Sequence, residues 1–353
     1  MTLAAGLVWL GATLAAAPEA AHYTEHSDLL YFLEADGARR AVRTEADWSN
    51  RRRHIVASFE SVAGPLPSVA KPPLRVHVLE ETRGEGYTRQ LLTYDALQGD
   101  PVAAYLFVPD ERGPKPAVLA LHPTGELGKG IPAGLGDRPN RSYALELAAR
   151  GWVVLAPDYP YMGGEQRDPY DLGYASGTMK GIYNHLRGVD LLVGSPEVDP
   201  ERIGAIGHSL GGHNALFVAL FDRRVGAVVT SCGFNAFAKY KRGDLTGWSS
   251  AKYMPRIATV FGKDPARMPF DFTEILGAIA PRPVFISAPT ADANFEVSGV
   301  RDCVRAARPV YERVFAAGDR LVAVHPDCGH DFPPEIREQA YGFLDRWLSN
   351  RAR

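Results

Sequence analysis

Six short apolar runs constrain this chain most: Ala117 to Leu121, Trp152 to Ala156, Ile203 to Ile206, Val225 to Thr230, Pro283 to Ser287 and Leu321 to Val324. Each is too short for a helix, rich in β-branched residues and bounded by Pro or Gly. Strands that are apolar throughout lack the alternation of a sheet with one wet face, so they suit a parallel sheet covered on both sides. Helix candidates fall between them at Ser142 to Arg150, Gly181 to Val193, Gly212 to Phe221, Gly299 to Phe315 and Pro334 to Leu348. Strand and helix alternate, which predicts an α/β fold with a mostly parallel, doubly wound sheet. Three strands, Leu74 to Leu79, Tyr87 to Tyr94 and Val102 to Val108, read as a meander leading into it.

The boundaries follow from the breaks. Residues 1–20 form an apolar stretch ending in Ala15-Ala16-Ala17, which reads as a signal peptide and makes the protein exported, periplasmic or secreted; uncleaved, it would leave the chain cytoplasmic. Residues 21–73 are an N-terminal extension. Its clearest element is a helix over Asp47 to Val62, with Trp48, Ile55, Phe59 and Val62 on one face and the Arg51-Arg52-Arg53 run read as solvated. His22 and His26 have i, i+4 spacing, but no carboxylates gather there, so they read as surface residues. Residues 74–353 form the catalytic domain, interrupted at about 232–276 by a long departure from the strand–helix rhythm. A segment of that length reads as a small cap.

The chain of 353 residues carries a formal net charge of −2 without a long basic or acidic run, which argues against nucleic acid or an anionic membrane surface as partner. No span is expected in the mature chain. Three cysteines, Cys232, Cys303 and Cys328, are too few for a disulfide framework and leave one bridge open. Oligomeric state is not legible.

The chemistry sits at Gly207-His208-Ser209-Leu210-Gly211-Gly212, between a strand and a helix. This G-x-S-x-G pattern is a nucleophile elbow, in which a tight turn exposes the serine and aims the first helical N–H groups at its target. A serine of ordinary pKa needs a base, and the base needs an orienting acid. His330 follows the last strand in Cys328-Gly329-His330-Asp331-Phe332-Pro333 and is the expected base, with His325 its rival. Asp292 follows the preceding strand and is the expected acid. The oxyanion donors would be the N–H groups of Leu210 and Thr124, since Pro123 has none. In the cap, Trp248, Tyr253 and Phe234 are expected to touch substrate. No metal and no cofactor are called for.

The segments HPTGELGKG, APDYP, SGTMKGIYNHLRGVDLL, GHSLGGHNALF, APTADANF and GHDFPPE resemble the α/β-hydrolase superfamily, in its dienelactone hydrolase and acetyl-xylan-esterase-like branch. The resemblance covers roughly residues 70–350. It implies a serine esterase acting on a small-molecule or carbohydrate ester, carbohydrate acetyl esters among them, through an acyl-Ser209 intermediate. Dienelactone hydrolases use a cysteine where Ser209 stands, so the resemblance does not imply a dienelactone substrate. Two alternatives stand beside it: a serine peptidase similar to prolyl oligopeptidase catalytic domains, and a non-catalytic binding protein on the same fold.

Overall fold

The computed structural model describes residues 21–349. The signal-peptide reading of residues 1–20 lies outside them. In chain order the elements are β1 (Tyr31–Leu33), β2 (Arg39–Ala41), α1 (Glu45–Ala63), β3 (His77–Arg83), β4 (Tyr87–Leu97), β5 (Asp100–Pro109), β6 (Lys115–Leu121), α2 (Tyr143–Ala149), β7 (Val153–Pro157) and α3 (Gly177–Gly194). They continue with β8 (Val198–His208), α4 (Leu210–Phe221), β9 (Val225–Ser231), α5 (Arg256–Thr259), α6 (Phe272–Ile279), β10 (Val284–Ser287), α7 (Val297–Pro309), β11 (Leu321–Val324) and α8 (Pro334–Leu344). Nine strands form one sheet in the order β11-β10-β9-β8-β6-β7-β5-β4-β3. The six from β7 to β11 pair in parallel, and β3, β4 and β5 add the antiparallel meander. All six apolar runs are therefore strands of the parallel portion.

Their apolar character on both sides is used in full. Ala117, Leu119 and Leu121 of β6 join the core under α1, α3, α4, α6 and α7, while Val118 and Ala120 join the core under α2 and α8. The same alternation divides Val228 from Ala227 and Val229 on β9. Side chains one residue apart point to opposite faces, so a strand with a helix layer on each side must be apolar at every position.

Local signals set the helix starts. Thr44 and Asp47 form a capping box at α1, with the Asp47 N–H donating to Thr44 Oγ1 (3.2 Å) and the Thr44 N–H to Asp47 (2.9 Å). Ser176 Oγ accepts from the Met179 N–H at α3.

Several sequence readings need correction. The meander strand placed at 74–79 is β3, from 77 to 83, exposed along its length at the sheet edge. The hairpin of β1 and β2 was not anticipated, because three-residue strands are too short to show a period. Arg51 is not solvated. It is fully buried, pairs with Glu274 (3.2 Å) and lies over the Tyr23 ring. His26 is not a surface residue either, since its Nδ1 meets Glu274 at 2.7 Å and its Nε2 the Met268 carbonyl. Together they tie the N-terminal extension to α6. The cap ends earlier than 276: residues 272–279 are α6, opened by a capping box of Asp271 and Glu274 and packed on α4 and α7. The segment from 232 to 271 holds short turns, three single 3-10 turns (Tyr240–Gly243, Leu245–Trp248 and Pro265–Arg267) and the one-turn α5. All three cysteines are free, and among the described residues no helix is long and apolar enough to cross a membrane.

Candidate active site

Ser209 ends the run from β8 into α4 with φ 56° and ψ −118°. A side-chain-bearing residue holds this left-handed conformation only where its surroundings enforce it. Two glycines do so. A Cβ on Gly207 would lie 2.2 Å from the Gly211 carbonyl carbon, and one on Gly211 would lie 1.9 Å from the Leu121 carbonyl oxygen. Strand β8, helix α4 and the end of β6 thus meet at contact that only glycine permits. The Ser209 N–H donates to the Ser231 carbonyl (2.8 Å), which clamps the turn to β9.

His330 and Asp292 are brought together from two loops. The His330 Nδ1–H donates to the Asp292 carboxylate at 2.9 and 3.0 Å, which leaves Nε2 as the basic nitrogen. The Asp292 side chain is wholly buried and also accepts from the Asn294 and Phe295 N–H groups (2.8 and 3.0 Å). Burial alone would raise its pKa. The His330 contact and the two amides outweigh that and hold it below the ordinary carboxylate range. Asp292 is therefore both a turn-capping residue and the partner of His330. The His330 ring packs 4.8 Å from the His208 ring and 5.9 Å from Phe295. His208 precedes Ser209 and Phe295 lines the Ser209 cavity, so the His330 ring packs against both the elbow strand and a wall of that cavity. Among the described residues Ser209 Oγ makes no hydrogen bond; in ligand-free sites this contact commonly closes only with substrate present.

A cavity of about 100 Å³ opens at Ser209, and Leu210 and Thr124 line it with Tyr240, Trp248, Tyr253 and Phe295. Thr124 Oγ1 and Tyr253 Oη lie 3.1 Å apart and share a hydrogen bond. Trp248 packs on His213, whose pKa burial pushes down to about 3, so this wall is uncharged. Phe234 is misplaced by the sequence reading. It is 1% exposed and stacks on Phe272 (5.2 Å), inside the core rather than at the cavity. His325, the rival base, donates from Nδ1 to the Ala288 carbonyl (2.9 Å), has no carboxylate on that nitrogen and does not line the Ser209 cavity.

Four supporting groups escaped the sequence reading. His122 Nε2 accepts from the Tyr159 N–H (2.9 Å), so its Nδ1–H donates to the Pro123 carbonyl (2.8 Å), fixing the loop that carries Thr124. Asp158 binds Lys129 through both Nζ and its own N–H (2.7 Å each). Arg141 holds the histidine loop, donating to Asp331 (2.5 Å) and to the His330 carbonyl (2.9 Å). His208 is buried and held neutral, first by desolvation and then by Arg141 and His330. The segments HPTGELGKG and APDYP contain the first two groups, but no spacing rule pairs His122 with Tyr159, 37 positions on, or Lys129 with Asp158, 29 positions on. His208, Cys232 and His330 place ligand atoms within 4.8 Å of one another. However, His330 Nδ1 is engaged by Asp292, and burial keeps the Cys232 thiol protonated, so the cluster serves as packing around the imidazole.

Several known proteins resemble this chain in sequence or fold. The sequence model of the Dienelactone hydrolase family matches residues 102–246, and that described as "Glucuronyl esterase, fungi" matches residues 182–314. A putative hydrolase of Bacillus subtilis, YtaP, is 28% identical over 298 residues, covering 81% of this chain and 96% of its own. The glucuronoyl esterase from Solibacter usitatus superposes with a TM-score of 0.71 at 19% identity, covering 91% of this chain and 97% of that one. Acetyl xylan esterase 1 from Thermoanaerobacterium sp. superposes with a TM-score of 0.59 at 19% identity, covering 83% and 93%. With its strand order and these likenesses, the chain has the α/β-hydrolase fold and is similar to the dienelactone hydrolase family and to carbohydrate esterases.

Proposed function

We propose that the protein hydrolyses carboxylic esters of carbohydrates through an acyl-Ser209 intermediate. One observation carries the reading: a strained serine opens on a small cavity, and a histidine bound to a buried carboxylate packs against Phe295 in the wall of that cavity. His330 Nε2 takes the Ser209 proton as Oγ attacks the ester carbonyl carbon. The oxyanion forms beside the N–H of Leu210, unpaired as the first residue of α4, and that of Thr124. Each such donor lowers the barrier by about 3–4 kcal/mol. The C–O bond then breaks, and His330 returns the proton to the leaving alcohol. Water, deprotonated by His330, releases the acid. Asp292 holds the imidazole in the required tautomer and stabilises its protonated form.

The cavity sets the acyl group. The narrow opening beside Ser209, walled by Tyr240, Trp248 and Phe295, suits a short acyl group such as acetyl. The sugar would then be the alcohol and lie outside the pocket. Turnover of p-nitrophenyl acetate, p-nitrophenyl octanoate, a methyl glucuronate and a dipeptide amide tests this. Acetyl should be preferred by well over tenfold. Preference for the glucuronate would refute the assignment of acyl and alcohol sides, and preference for the amide would favour a peptidase. We also propose export, supported by the residues 1–20; a mature N-terminus still at Met1 would count against it.

A further inference from the structure

At the end of the sheet opposite Ser209, a cavity of about 310 Å³ opens between α1, the turn from α4 into β9 and the segment joining α6 to β10. Ser209 follows the carboxyl end of β8, whereas this cavity lies before the amino ends of the parallel strands β9 and β10. Three arginines line it: Arg52 from α1, Arg223 from the turn and Arg282 two residues ahead of β10. Glu45 is the single carboxylate in that lining, so it carries two uncompensated positive charges.

Among the described residues none of the three arginines has an ion-pair partner. Arg282 donates to the Ala219, Asp222, Val225 and Ile279 carbonyls, which closes the ends of α4 and α6. Arg52 donates from Nε to Ala278 and from Nη2 to Leu220. These contacts use carbonyls the helix ends leave open, and they account for the position of both side chains. They do not neutralise charge, and they leave Arg52 Nη1 and the whole Arg223 guanidinium with their donors available. The crowding is felt electrostatically: burial, then Arg52 and Arg223, press the Arg282 pKa down to about 10, and Arg223 adds to the lowering of Arg52.

We propose that this cavity binds a tetrahedral dianion of the phosphate class, either inorganic phosphate or a phosphate monoester. Arg223 and Arg52 Nη1 would grip its oxygens as two N–H forks, and Arg282 supplies charge from beneath. A dianion matches the two uncompensated charges, where a monocarboxylate would neutralise one. The volume exceeds that of a phosphate ion, and Trp48 and Phe315 give an organic substituent an apolar wall. Nothing in this site touches the Ser209 chemistry, so either reading can fail alone.

The test is thermal unfolding and calorimetric titration of the full chain with inorganic phosphate, glucose 6-phosphate or succinate, at constant ionic strength set by sodium chloride. Phosphate should raise Tm saturably beyond chloride. Arg223→Ala, removing an exposed and unpaired side chain, should leave Tm in chloride unchanged and weaken phosphate binding at least about tenfold. Glu45→Gln should tighten it. Tighter binding of glucose 6-phosphate identifies a monoester ligand, and equal binding identifies the ion. The proposal is overturned if chloride matches phosphate, if succinate binds more tightly, or if Arg223→Ala binds phosphate as well as the parent.

Discussion

Gly211→Ala puts the close approach at the elbow to the test. The added methyl would sit 1.9 Å from the Leu121 carbonyl oxygen and 2.5 Å from its carbon, and ordinary contact begins at 3.4 Å. The gap must therefore open by about 1.5 Å, and both sides are backbone, so no side chain can swing away. Leu121 ends β6, pairs with Gly207 in register and leads directly into His122–Thr124. The movement thus separates the Thr124 N–H from the Leu210 N–H. Overpacking of this kind costs about 3 kcal/mol, or about 5 °C in Tm for a chain of this size. A displacement near 1 Å at reacting groups costs roughly a hundredfold in rate, and the loss should fall on kcat rather than KM. The matched control is Gly342→Ala in α8, where an added Cβ meets nothing within 4 Å and helix propensity favours alanine by about 1 kcal/mol. The assay is steady-state hydrolysis of p-nitrophenyl acetate beside differential scanning fluorimetry for both variants. Should Gly211→Ala keep full kcat and parental Tm, the account of the elbow is wrong.

Other perturbations separate the supporting parts. Arg141→Ala frees the loop held at Asp331 and the His330 carbonyl and should lower kcat about tenfold; Arg141→Lys should not restore it, because two acceptors need a fork. Unchanged kcat in the alanine variant would remove Arg141 from the account. Asp292→Asn should reduce kcat by about 10⁴. Because the folded pKa of Asp292 lies below 3.8, its stabilisation is present above 3.8 and fades as pH falls through the lowered value, so the parent should lose Tm faster than the variant in that acid range. For His26 burial pulls the pKa down, but the Glu274 contact prevails and the net shift is upward from 6.5. Its stabilisation is complete below 6.5 and lost as pH rises through the raised value, so the Tm gap between parent and His26→Gln should narrow as pH rises above 6.5 through that value. A gap that widens instead would contradict the pairing with Glu274.

The sequence revealed what is written in short-range pattern. Doubly apolar strands, the glycine-flanked serine, and loops after the last strands bearing Asp292 and His330 all follow from spacing of a few residues. What it concealed depends on partners far apart. Arg51 looks solvated inside an arginine run, yet Glu274 and the Tyr23 ring, both invisible at that distance, draw it into the core. Phe234 and Trp248 are both cap aromatics that pack against Phe272, and only packing brings Trp248 alone of the two to the Ser209 cavity. Helix α6 was absorbed into the cap because its capping box, Asp271 with Glu274, sits in a segment whose length alone suggested an insertion. His122 stands in HPTGELGKG with no local sign of a role, which emerges when the Tyr159 N–H arrives from just past the end of β7.

The central claim is that Ser209 is the nucleophile. A fluorophosphonate, followed by peptide mass spectrometry of the intact protein's digest, measures it directly. The account predicts one phosphonyl adduct on Ser209, formed in step with loss of esterase activity and absent from Ser209→Ala. Labelling at another residue, or ester turnover that survives in Ser209→Ala, would contradict it.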